Sequence, residues 1–225
     1  MTLNYVPRVL MAHEDVLEKA ANMTSSESNE INAVEVDGVR FETLVPERIL
    51  CLPKQNLVQK LLSFLEFLLP MPLGYFSPKY SVQIGIRITN NTSTPFRFSF
   101  YFTFFPELVN ANGPIPLEGG WISLLSSLES DYPLAMPGES LTFFPNIEIF
   151  WIWGNQFGIS IPSANGGKWF FQPLKLGNYQ FRFIYNNQNE KETTYSSVNR
   201  DMSLIEGIWT GEVLTPFVEL HLAQF

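Results

Sequence analysis

Residues 80–90 read Y-S-V-Q-I-G-I-R-I-T-N and residues 96–104 read F-R-F-S-F-Y-F-T-F. In the first stretch Val82, Ile84, Ile86 and Ile88 alternate with Ser81, Gln83, Gly85, Arg87 and Thr89. In the second, Phe96, Phe98, Phe100, Phe102 and Phe104 take every second position. Successive side chains of a strand point to opposite faces, so a period of two over both stretches predicts β-strands with one buried face each. Asn90–Pro95 is a turn cluster. The whole reads as strand, turn, strand, and it decides for an antiparallel β fold.

The composition fits a chain with a large core. Of 225 residues, 45% are apolar and 20 are Phe, which strands accommodate well. Charged residues are only 16%, below the quarter usual for a soluble domain, so the surface is neutral-polar or partly covered by a partner. A homodimer and a thick-cored monomer both fit. The net charge of −8 and the lack of any Lys/Arg cluster argue against nucleic-acid binding, which needs a basic face. Residues 1–50 hold nine of the 22 carboxylates and four of the 14 basic residues.

Cys51 is the single cysteine, so no intrachain disulfide forms. The N-terminus lacks a basic stretch followed by an apolar run, so no signal peptide is expected. The apolar stretch 57–73 is broken by Gln59, Lys60, Ser63, Glu66, Pro70 and Pro72 and is too short for a membrane span. A cytoplasmic, soluble protein is the expectation.

The first 77 residues differ from the rest. Val9–Met23 follows a helical period, and 24–32 is a polar linker. Short strands are expected at 34–36 and 49–52, with a tight turn at Asp37-Gly38. Gln55–Leu69 reads as a helix with Leu57, Val58, Leu61, Leu62, Leu65, Leu68 and Leu69 on one broad face, ended by Pro70 and Pro72. From 78 onward the chain reads as strand after strand. The expected organisation is an N-terminal segment, 1–77, packing on a sandwich domain, 78–225. Seven or so short strands with turns between them fit a two-sheet Greek key.

Little in the sequence points to enzyme chemistry. His13 and His221 are the only histidines, and no paired metal-ligand spacing occurs, so neither a cofactor nor a metal is expected. Cys51 sits in the apolar run Ile49–Leu52 and reads as a buried, inert thiol. Glu107 and Glu139 read as turn residues. Glu148 lies within Ile147–Trp153, either in an apolar setting that raises its pKa or facing outward on an edge strand. Asn165-Gly166-Gly167-Lys168 lacks phosphate-loop spacing and reads as a hairpin turn.

The aromatic set Phe150, Trp151, Trp153, Phe157, Trp169 and Phe170, with Phe171, is the main candidate for a binding surface. Both faces of Ile147–Trp153 are apolar. Three readings stay open: a strand covered on both sides, with the Leu-rich helix as one cover; a protein contact patch; or a platform that stacks on sugar rings.

Leu174, Gly177 and Tyr179, followed by alternating Phe181, Phe183 and Tyr185, resemble the tyrosine corner of Ig-like and fibronectin-like sandwiches, where the Tyr hydroxyl bonds backbone upstream. The order I-T-N-N (88–91), F-x-F-x-F (96–100), N-A-N-G (110–113), P-G-E-S (137–140) and G-N-Y (177–179) resembles the BsuPI-type intracellular proteinase-inhibitor domain over about 80–190. That likeness implies an Ig-like sandwich and, for an inhibitor, an exposed loop, for which Asn187–Arg200 is the candidate. The stretches 83–98 and 209–220 look like uncharacterised cyanobacterial-type bacterial proteins, which implies a fold and not an activity. The functional expectation is a non-enzymatic protein-interaction module. The alternatives are an inhibitor-like domain and a carbohydrate-binding module.

Overall fold

The computed structural model describes residues 32–68, 78–101, 103–119, 126–152, 156–163, 166–196 and 201–224. The described chain is mainly β, built from several antiparallel sheets that do not close into a barrel. The helix expected over Val9–Met23 lies outside the described residues. Strands β1 (Ala33–Val36) and β2 (Val39–Leu44) form a hairpin closed by Asp37 and Gly38. These residues sit at φ 50° and 74°, the left-handed pair that a two-residue hairpin of native twist requires. Strand β3 (Ile49–Leu52) leads to helix α1 (Leu57–Leu68). The helix begins with a reciprocal cap. Gln59 N–H donates to Asn56 Oδ1 at 2.8 Å, and Asn56 N–H donates to Gln59 Oε1 at 2.9 Å.

Next come β4 (Lys79–Val82), β5 (Gly85–Asn90), β6 (Phe96–Arg97), β7 (Phe104–Asn110), β8 (Gly113–Pro114) and β9 (Leu117–Gly119). A 3-10 turn at Glu129–Asp131 precedes β10 (Leu134–Ala135), β11 (Ser140–Phe143), β12 (Ile147–Trp151), β13 (Phe157–Pro162), β14 (Lys168–Leu174) and β15 (Gly177–Asn187). The last strands are β16 (Glu192–Ser196), β17 (Asp201–Ile205), β18 (Gly211–Leu214) and β19 (Val218–Gln224). A four-stranded sheet runs β1-β2-β5-β11 and a five-stranded sheet runs β4-β12-β13-β14-β9. A six-stranded sheet runs β3-β19-β15-β7-β8, with β18 also on β15. β6–β10 and β16–β17 are two-stranded ribbons. Every pair of named strands is antiparallel except β3–β19, which sets Ile49 opposite His221 and Leu52 opposite Gln224.

The stretch read as one strand over Tyr80–Asn90 is two. β4 belongs to the five-stranded sheet and β5 to the four-stranded sheet, and Gln83-Ile84 carries the chain between them. The alternation survives because both sheets turn one face to the same core, where Ile84, Ile86 and Ile88 are buried. The Phe-rich stretch is not one strand either. Among its described residues only the ends are β, and Thr103 Oγ1 donates to the Ser99 carbonyl at 2.5 Å between them, a local bond that competes with a ladder. Since β5 pairs with β2 and β11, β5 and β6 do not form a hairpin. Buried Asn90 holds the turn that follows: its Nδ2 donates to the Thr94 and Ala135 carbonyls, and its Oδ1 accepts from Thr92 N and Oγ1.

Residues 33–52 are woven into sheets made by residues beyond 78. β2 ladders with β5 and β3 with β19, so no separation into two hydrogen-bonded units falls at 77/78 here. The core joins the sheets. Phe41 of β2 meets Tyr185 of β15 at 5.4 Å and Trp209 at 5.2 Å, and Phe100 stacks on both Phe104 and Phe143. One buried polar link crosses the layers. Thr43 and Thr215 hydroxyls are 2.7 Å apart, and Thr215 Oγ1 also bonds the Phe183 backbone.

Burial pushes the Tyr185 phenol well above its ordinary value; a Ser99 backbone bond opposes this and Tyr132 adds to it. Burial also raises Tyr132. An unfolded tyrosine ionises near pH 10. Above that pH the unfolded chain releases protons that the folded chain keeps. The stability from these phenols is therefore complete below about pH 10 and falls as pH rises through the folded values. Tyrosinate absorbance should rise in two phases, exposed residues first, the second coinciding with loss of circular dichroism. Tyr185→Phe should delay that second phase. Full ionisation of all tyrosines with dichroism intact would contradict this.

Candidate functional site

The structure divides the aromatic set. Phe150, Trp151 and Phe157 are buried, Trp169 and Phe170 are half-buried, and Trp153 lies outside the described residues. Ile147, Ile149 and Trp151 point into the core, where Trp151 meets Phe157 edge-on at 6.2 Å. Glu148 and Phe150 occupy the other face of β12. Phe150 is buried there because it lies over Gly158, its cross-strand neighbour. A Cβ on Gly158 would stand 2.6 Å from the ring. Phe170 closes the arrangement edge-on at 6.5 Å. Phe150 thus rests against Gly158 and Phe170, and the expectation that α1 covers this face is corrected, since Leu57, Val58, Leu61 and Leu68 of α1 are exposed. Stacking of Trp151, Phe150 or Phe157 on a sugar would require opening the core, so the carbohydrate reading loses these residues.

The polar candidates are mostly held in pairs. β12 lies between β4 and β13, so Glu148 is not on an edge strand; its Oε2 stands 3.5 Å from Lys79 Nζ and 3.8 Å from Lys168 Nζ. Glu107 is in a strand rather than a turn, and Arg182 Nε donates to its Oε2 at 2.6 Å. Glu139 caps its turn by accepting from Met136 N–H at 2.9 Å. Cys51 is exposed, a correction to the buried-thiol reading. β3 has one face inward, so Leu50 and Leu52 are buried while Ile49 and Cys51 face out. Within the segment Asn187–Arg200, proposed as an exposed inhibitor loop, Glu192–Ser196 forms β16, paired with β17 from Glu192↔Ile205 to Ser196↔Asp201. Leu174 ends β14 and Gly177 opens β15. Tyr179 hydroxyl donates to the Lys175 carbonyl at 2.7 Å and accepts from Lys175 N–H at 3.1 Å.

Two surface features involve residues 48–68. The first is α1. Leu57, Val58, Leu61 and Leu68 are 84%, 66%, 58% and 60% exposed, and Phe64 and Leu65 are also exposed. The second is a cleft of about 470 Å3 on the outer face of the six-stranded sheet. Arg48, Ile49, Gln180, Glu219 and His221 line it, and Ile49 is 60% exposed. Its geometry follows from register. Asn178 stands opposite His221, and Gln180 opposite Glu219, on the face that alternation turns away from the core. His221 Nδ1 lies 2.5 Å from Asn178 Oδ1, and His221 N–H donates to the Arg48 carbonyl at 2.7 Å. With the Nδ1 proton on Asn178 Oδ1, Nε2 is left as the acceptor. Since β3 continues directly into α1, the polar cleft and the apolar helix lie on consecutive elements of one stretch of chain. Among the described residues no group of three or more His, Cys, Asp or Glu is placed to hold a metal, and no helix is long and apolar enough to cross a membrane.

No protein-family model, curated protein or solved structure matches this chain. The cleft was not foreseen from the sequence, because it depends on pairing between residues near 48 and residues near 220. Its one sequence signal is the alternation of Glu219 and His221 with buried Val218, Leu220 and Leu222.

Proposed function

We propose that this chain is a non-enzymatic protein-interaction module whose contact surface is α1 with the outer face of β3. One observation carries the reading: Leu57, Val58, Leu61, Phe64, Leu65 and Leu68 of α1 stand in solvent although a rich core is available elsewhere in the fold. A 12-residue helix is marginal in water without tertiary packing. Contiguous exposed apolar surface rimmed by polar groups marks an interaction site, and a helix of this kind seats its apolar stripe in a protein groove. The cleft at Ile49 adds polar side chains, Arg48, Gln180 and Glu219, to the part of this surface on β3. The non-enzymatic half is supported by Glu107, Glu148 and His221, each engaged with a neighbouring side chain.

The finer fold reading, an Ig-like sandwich, belongs here as well. It is supported by the Tyr179–Lys175 bonds and by the core shared between the inner faces of the sheets. The inhibitor reading is the weaker one, because Glu192–Ser196 of its loop candidate is laddered to β17.

The test is a photo-crosslinking amino acid placed at position 61 and, separately, at exposed Glu212 on β18, in the organism that makes the protein. Adducts to protein at 61 and none at 212 are expected. No adduct at 61, with normal accumulation of the chain, would sink the reading.

A further inference from the structure

We infer that the occupant of the α1 face is the same face of a second copy, paired antiparallel about a twofold axis level with Ser63. The inference rests on the reading of α1 as a contact surface. The sequence of α1 places Val58, Leu61, Leu65 and Leu68 at spacings of three, four and three, the a/d pattern of a packing seam. Gln59 and Lys60 fall at b and c, the positions that face away. Leu57, Leu62 and Phe64 fall at e and g and widen the seam.

That seam is self-complementary. Each of its positions has a mate equidistant from Ser63, so an antiparallel twofold sets Val58 against Leu68 and Leu61 against Leu65, the a-to-d layering such pairs need. An isologous twofold contact is also the commonest way a chain associates with itself. The exposed fractions of the six apolar α1 residues amount to about 600 Å2 per copy, or roughly 1,200 Å2 in a pair, the lower bound for a stable specific interface. A bilayer is a poorer occupant. Interfacial helices carry several Lys or Arg on the polar face, whereas α1 has only Lys60 on a chain of net charge −8.

Light scattering on the full chain at micromolar concentration should return twice 25.7 kDa. The double variant Leu61→Glu/Leu65→Glu should return 25.7 kDa with unchanged circular dichroism, its dimer weakened at least about 100-fold. The register has its own readout. In a Cys51→Ser background, mixed Leu61→Cys and Leu65→Cys chains should oxidise mainly to the mixed disulfide. A wild-type monomer, a dimer indifferent to the double variant, or preference for like-with-like disulfides each overturns the inference. So does a monomer that floats with phosphatidylcholine/phosphatidylglycerol vesicles, which would assign the face to lipid. If the wild type is monomeric but the crosslinker at 61 captures a different protein, self-pairing falls and the contact-surface reading stands; if it captures nothing, both fall.

Discussion

Phe41→Ala should destabilise the fold by about 4 kcal/mol, the range for deleting a large buried aromatic, and lower the melting temperature by roughly 10 °C. Phe41 has no exposed surface, and its ring touches Phe98, Tyr185 and Trp209, which come from three other parts of the chain. Removing it takes away one wall shared by the four- and six-stranded sheets. Those neighbours are aromatic and rigid, held by Asn187 Nδ2 on the Trp209 carbonyl at 2.7 Å, so the void does not collapse easily. Phe41→Leu keeps most of the volume and should cost less than half as much. Urea unfolding of both variants checks this. A Phe41→Ala cost below about 1.5 kcal/mol would mean that the sheets do not share this wall.

Gly85→Ala should cost about 3 kcal/mol, although it adds one carbon and no unusual φ. The added Cβ would meet the Phe143 carbonyl oxygen at 2.5 Å as well as the Phe144 ring. The ring can turn aside. The carbonyl belongs to β11, whose Phe143 is registered against Ile86, so relief means separating β5 from β11. Gly138→Ala is the useful contrast. It meets nothing within 4 Å, and its φ of 83° imposes only backbone strain, roughly 1 kcal/mol. Similar losses in the two variants would show that close approach at Gly85 is not what restricts that position.

Much of this architecture was readable from periodicity. The Asp37-Gly38 hairpin, the strands near 34–36 and 49–52, the Leu-rich helix and the long strand through Phe181, Phe183 and Tyr185 all follow from local pattern, and all form. Sheet membership was not readable. Period two reports that a face is buried and says nothing about which sheet buries it, so β4 and β5 looked like one strand. The aromatic cluster stayed open between a covered strand and a surface patch for a related reason: only the pairing that brings Gly158, eight residues on, beside Phe150 shows how the second face is filled. Cys51 was misjudged because an apolar run of four conceals the alternation that sends its odd members outward. The breadth of the apolar face on α1 was legible, but its covering surface was not, since no local pattern records what lies outside the fold.

The parallel pairing of β3 with β19 has a consequence for synthesis. Leu50 and Leu52 leave the ribosome well before the strand that holds them, and the Thr43–Thr215 bond spans 172 residues. Until β19 is made, the nascent chain carries an open sheet edge on the strand that leads to an apolar helix, which is the sort of segment chaperones hold. A product cut short before Val218 would keep that edge open permanently. It would lose a neighbour of β15 and the anchor of β3 together, so a chain that stops before Val218 should be a proteolysis substrate.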